Sequence, residues 1–174
     1  GHGKEECWLV IDADSGAALG IGFKQPIGKE AMRAAALDGS IEHLLEWHPV
    51  QAGDFFYIPA GTVHAIGAGV SLIEVQQTSE VTYRLYDYGR PRELHLDEGL
   101  AVALGERHPE ERRMRLPESS DVVLADGPYF RLERRTGDFA VGAKPCLVIP
   151  MTGQALVAGD AVVPGACALS LAGR

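Results

Sequence analysis

Residues 53–64, GDFFYIPAGTVH, constrain this chain more than any other stretch. Phe55, Phe56, Tyr57 and Ile58 form a short aromatic and β-branched run, the pattern of a strand on a packed surface. Pro59-Ala60-Gly61 ends it, because proline has no amide hydrogen for a ladder and glycine accepts the backbone of a tight turn. His64 follows at once, on a second predicted strand over residues 63–66. A corner of this build fixes the backbone just ahead of the histidine and aims its ring into a barrel interior.

The remaining chain reads as many short strands. Twenty-one glycines and ten prolines, spread along 174 residues, call for frequent turns within one domain, or one domain and part of another. Strands are predicted over 7–13 (CWLVIDA), 18–23, 71–76 (SLIEVQ) and 81–86 (VTYRLY), the last two paired with each other. In these two runs Glu74 and Arg84 point away from their apolar neighbours. Helices are predicted over 26–37, stopped by Gly39, over 40–48, stopped by Pro49, and over 94–104. Residues 106–115 read as a solvated, charged linker that includes His108. His43 and His48 read as surface residues, and His95 as the pin of a helix start. From residue 121 short strands return, and 159–165 (GDAVVPG) faintly repeats 53–61 without a histidine.

A net charge of −8 argues against nucleic acid and anionic membranes as partners, although local cations can still hold a phosphate. Cys7, Cys146 and Cys167 are odd in number and lack CxxC spacing, which suggests reduced thiols and a cytoplasmic location. No run reaches the ~18 apolar residues of a membrane span, and no signal peptide is visible.

The Gly-x5-Pro-x-Gly-x2-His spacing resembles the second motif of the cupins, with Ala68 where an Asn often stands. Together with GKEECW at residues 3–8 and SLIEVQQTSEVTYRLYDYGR at 71–90, it is similar to the type I mannose-6-phosphate isomerases in their short bacterial form. The resemblance implies a mainly β fold, a cupin double-stranded β-helix or jelly roll with short helical insertions and a second, partial cupin-like sheet. It divides the chain into three. Residues 1–92 form a metal-site barrel without its first strands, with a helical insertion at 26–48. Residues 93–116 form a helix and charged linker, and 117–174 a degenerate second half.

The resemblance further implies interconversion of mannose 6-phosphate and fructose 6-phosphate with one Zn²⁺. His64 and Glu6 fall on metal ligands, and Lys4, Glu74 and Arg84 on active-site positions. The family's Gln-x-His ligand pair lies upstream of the GKxE element, at which this chain opens without a Met. His2 stands in the wrong context to replace it. The expectation is therefore an N-terminally truncated chain, weakly active alone, whose exposed sheet edges favour pairing with a second copy. The alternative is a non-catalytic cupin that binds a sugar or sugar phosphate. An iron oxygenase is disfavoured because the chain contains no His-x-His.

Overall fold

The stretch ECWLV is buried without a break, so the first strand, β1 (Glu6–Ala13), is covered on both faces. The computed structural model, which describes residues 3–139 and 144–171, shows what covers it. β1 is central in an antiparallel sheet ordered β6-β1-β4-β7, with β4 (Asp54–Ile58), β6 (Val70–Gln76) and β7 (Arg113–Arg115). A second sheet is ordered β3-β2-β5, from β2 (Ala18–Phe23), β3 (Leu45–Pro49) and β5 (His64–Ile66). Trp8 and Val10 of β1, Phe56 and Ile58 of β4, and Leu19 and Ile21 of β2 form one apolar cluster, so the two sheets face each other across it. This is the arrangement expected of a cupin.

The opposite face of the first sheet, Cys7, Leu9 and Phe55, is capped by Ala125 and its neighbours from the hairpin of β8 (Val122–Asp126) and β9 (Arg131–Arg134). A third cluster joins Phe23 and Leu45 to Met32, Ala35 and Ala36 of α1 (Lys29–Asp38) and Leu100 of α3 (Leu96–Val102). Gly39, in the left-handed conformation, terminates α1 as expected. His95 stands at the N-cap of α3.

Contacts divide the chain into two units, Gly1–Arg134 and Arg135–Arg174. Among its described residues the second unit holds two antiparallel ribbons. One pairs β10 (Cys146–Val148) with β13 (Ala168–Ser170), the other β11 (Ala155–Val157) with β12 (Asp160–Val162). The echo at 159–165 thus forms a strand, followed by a turn closed by Ala166 N–H on the Val163 carbonyl. Among the described residues no helix is long and apolar enough to cross a membrane.

Three expected elements differ. The helix predicted over 40–48 is only α2 (Ile41–Leu44), and β3 takes its second half. Leu45, Glu46, Trp47 and His48 alternate apolar and polar, a period of two. The ladder to β2 satisfies their backbone better than one isolated helical turn does. The strand predicted over 81–86 forms no ladder with β6. Arg84 spends both backbone groups on residue 95: its carbonyl accepts from His95 N–H at 2.8 Å, and its N–H meets His95 Nδ1 at 3.4 Å. The 106–115 run is not simply a solvated linker. Arg113–Arg115 pairs with β4, and His108 is buried.

His108 donates from Nε2 to the Tyr57 carbonyl at 2.8 Å, and its ring lies 6.3 Å from that of half-buried His48. Burial, then the Arg113 charge, pushes the His48 pKa below the ordinary 6.5, against smaller opposing effects of Glu46 and Glu110. His108 is lowered first by burial, against its bond to Tyr57, and further by His48, Arg112 and Arg113. Below pH 6.5 the unfolded chain therefore binds more protons than the folded one. Stability is expected to be full above that pH and to fall as pH drops through it, until both folded-state values are passed. Urea unfolding at stepped pH measures this, and the slope between pH 6.5 and 5 should shrink in His48→Gln.

Candidate active site

Alternation along β1 puts Glu6, Trp8 and Val10 on one face, and the extended residues before the strand bring Lys4 to the same side. On β6 the registers Trp8↔Glu74 and Glu6↔Gln76 place both polar residues directly opposite. His64 arrives from the other sheet. The corner before it is a turn with Thr62 N–H on the Pro59 carbonyl at 3.1 Å and Gly61 at φ 84°. This corner packs against the start of β1. A side chain at Gly3 would meet the Ala60 methyl at 2.3 Å, so the close approach needs glycine there.

Four of the five sequence-predicted residues are brought together. Lys4 Nζ lies 2.7 Å from Glu6 Oε2 and 3.3 Å from Glu74 Oε1, and it donates to Gln76 Oε1 at 2.8 Å. His64 Nε2 lies 3.1 Å from Glu6 Oε1. Glu6 is completely buried, whereas the Glu74 and His64 side chains each keep 33% exposure and so remain open to a small molecule. Burial alone works against the charged form of Lys4, but the bonds and charges of Glu6 and Glu74 outweigh it. The net pKa is raised, so Lys4 is held as a cation.

The fifth residue, Arg84, is half-buried. Among the described residues it makes no hydrogen bond or ion pair with the other four. Its charge instead helps to lower the pKa of buried Asp87, which Arg92 lowers most, by a direct hydrogen bond. Gln76 and Trp8 are site neighbours that sequence reasoning missed. The alternation that selected Glu74 also places Gln76 two residues on along β6, and Trp8 two residues beyond Glu6.

The Glu6–His64 contact bears on a metal. His64 Nδ1 lies 2.9 Å from the Thr62 carbonyl, which only accepts, so Nδ1 carries the proton of that bond. Nε2 is then the ring nitrogen turned to a Glu6 carboxylate oxygen at 3.1 Å, so the two atoms are placed to share a proton or a cation. Both Glu6 oxygens are buried without a hydrogen bond of proper geometry, despite their nearness to Lys4 and His64. An imidazole nitrogen and a carboxylate oxygen are zinc-type donors, so the pair fits the expected ion in kind. It is half of a tetrahedral shell: among the described residues no third His, Cys, Asp or Glu joins it.

No family model matches the chain. It is 41% identical over 136 residues to the mannose-6-phosphate isomerase of Streptococcus mutans serotype c, a match covering 74% of this chain and 43% of that protein. It is 39% identical over 137 residues to the mannose-6-phosphate isomerase ManA of Bacillus subtilis strain 168, with the same two coverages, 74% and 43%. The crystal structure of the mannose 6-phosphate isomerase from Bacillus subtilis superposes with a TM-score of 0.61 at 29% identity, over 75% of this chain and 44% of that one. A solved structure from Archaeoglobus fulgidus shares the fold, at a TM-score of 0.53 and 21% identity, over 71% of this chain and 42% of its own. The chain thus spans less than half the length of the curated relatives it matches. Over the part they share, sequence and fold place it in the mannose-6-phosphate isomerase family.

Proposed function

We propose that this chain carries the active-site barrel of an aldose–ketose isomerase that interconverts mannose 6-phosphate and fructose 6-phosphate. The single observation that carries the reading is the cluster Lys4, Glu6, His64 and Glu74, assembled at two facing sheets in a chain 41% identical over 136 residues to a mannose-6-phosphate isomerase.

Isomerisation moves one proton from C2 to C1 and one from the C2 oxygen to the C1 oxygen, through an enediol, with no net oxidant. Because Lys4 is held as a cation, Glu74 is the member of that pair able to take the carbon-bound proton. Lys4 faces the oxygen on which negative charge builds. Glu6 and His64 would hold the zinc ion, which when bound polarises the sugar's carbonyl and hydroxyl oxygens. Arg84 supplies fixed charge for the phosphate or the oxyanion.

The test is a coupled assay for fructose 6-phosphate on the full-length protein with zinc added. Turnover is expected, and His64→Ala should abolish it. The second reading, a non-catalytic sugar-phosphate-binding cupin, is favoured by the half-complete donor set. It requires calorimetric binding of mannose 6-phosphate without turnover, unchanged by His64→Ala.

A further inference from the structure

We propose that Trp8 is a positioning residue that orients Glu74 and His64 together from one immobile ring. Its consequence for turnover rests on the isomerase reading above, whereas its structural part stands independently.

Trp8 is 1% exposed and packed among Val10, Leu19, Ile21, Phe56 and Ile58, so its indole has no room to reorient. A buried indole N–H needs an acceptor, and Trp8 Nε1 finds Glu74 Oε2 at 3.2 Å, directly across the β1–β6 ladder. The other Glu74 oxygen is held by Lys4. The carboxylate, one-third exposed on a strand, is thereby pinned at both oxygens, and each keeps a lone pair for a substrate proton. The same ring stands against the His64 imidazole at 5.1 Å and 86°, an edge-to-face contact that sets the imidazole plane. Lys4 is a flexible cation and selects a charge. Trp8 is rigid and selects a direction, which is what proton transfer at a fixed carbon requires.

The chain has two tryptophans, and Trp47 donates its indole N–H to the Glu42 carbonyl at 2.8 Å, which makes it an internal control. In ¹⁵N-tryptophan-labelled protein, Glu74→Ala should shift the Trp8 indole resonance and speed its hydrogen exchange without moving that of Trp47. Glu74→Gln, which keeps an acceptor oxygen, should hold the resonance near its parental position. In the assay, Trp8→Phe keeps an aromatic ring and removes the donor. It should lower kcat about tenfold with KM nearly unchanged, the scale of a lost supporting hydrogen bond. A Trp8 resonance indifferent to Glu74→Ala overturns the proposal. So does a folded Trp8→Phe protein that turns over at the parental rate. If the parent shows no isomerase turnover, the functional reading falls alone, and the resonance still decides whether Trp8 holds Glu74. If Trp8→Phe does not fold, the two Glu74 variants decide it.

Discussion

Glu6→Gln is expected, on the isomerase reading proposed above, to lower turnover of mannose 6-phosphate by about a hundredfold or more, while leaving the metal-free fold at least as stable as the parent. Losing a supporting partner of a metal ligand costs about 10–100-fold, so losing the charge of a residue proposed above as a ligand lies at or beyond the upper end. The stability half follows from burial. Glu6 has no exposed surface, and neither oxygen has a hydrogen bond of good geometry, so its desolvation is offset chiefly by the Lys4 charge 2.7 Å away. Glutamine is less costly to bury, and Lys4 keeps Glu74 and Gln76 as partners. A residue that weakens the empty protein is expected where the position serves a ligand. Steady-state kinetics, with urea unfolding in chelator, measures both halves. A metal-free variant several kcal/mol less stable would identify Glu6 as part of a structural ion cluster instead.

Gly22→Ala is expected to destabilise the first unit by about 3 kcal/mol. Gly22 sits at φ 68°, and left-handed backbone costs a side-chain-bearing residue about 1–2 kcal/mol. The added methyl would also lie 2.5 Å from the His108 amide nitrogen and 3.1 Å from the Glu106 carbonyl oxygen. These are backbone atoms that no rotamer change can move, and overpacking of this kind adds about 1–3 kcal/mol. The segment that must yield is the one whose Glu106 carbonyl accepts the Phe23 N–H at 2.9 Å. Urea midpoints report the total, and amide exchange at Phe23 should quicken. A change below about 0.5 kcal/mol, the range of a neutral surface substitution, would contradict the close packing of 106–108 on β2.

The sequence made the corner at 59–61 legible because proline and glycine dictate backbone shape locally, and β4 and β5 fall on either side of it. β1 was equally plain, since an unbroken apolar run of that length has few other uses. Glu6 and Lys4 are site candidates through resemblance alone, and nothing local distinguishes Glu6 from Glu5. Glu5 instead accepts a hydrogen bond from Tyr57 Oη on the opposite face. Residues 81–86 have the composition of a strand, but pairing is decided by a partner distant in sequence, and His95 takes the backbone bonds of Arg84. His108 reads as solvated because its arginine- and glutamate-rich neighbours mask one inward-facing ring. The alternation of a strand is present in residues 45–48, but it follows directly on the helical pattern of residues 41–44, which masks it.

The β1–β6 ladder changes register between Val10 and Asp12. Lys4, Glu6 and Trp8 lie on one side of that step, and the Asp14-Ser15-Gly16 bend lies on the other. A residue gained or lost at the bend has a place to be absorbed, because an irregular ladder already accommodates unequal strand lengths. The same length change between Glu6 and Val10 would turn every following side chain to the wrong face of the sheet. A change of length is therefore expected to be absorbed at the far end of this strand, whereas an insertion among its first five residues would carry part of the Glu6–Trp8 face away from the site.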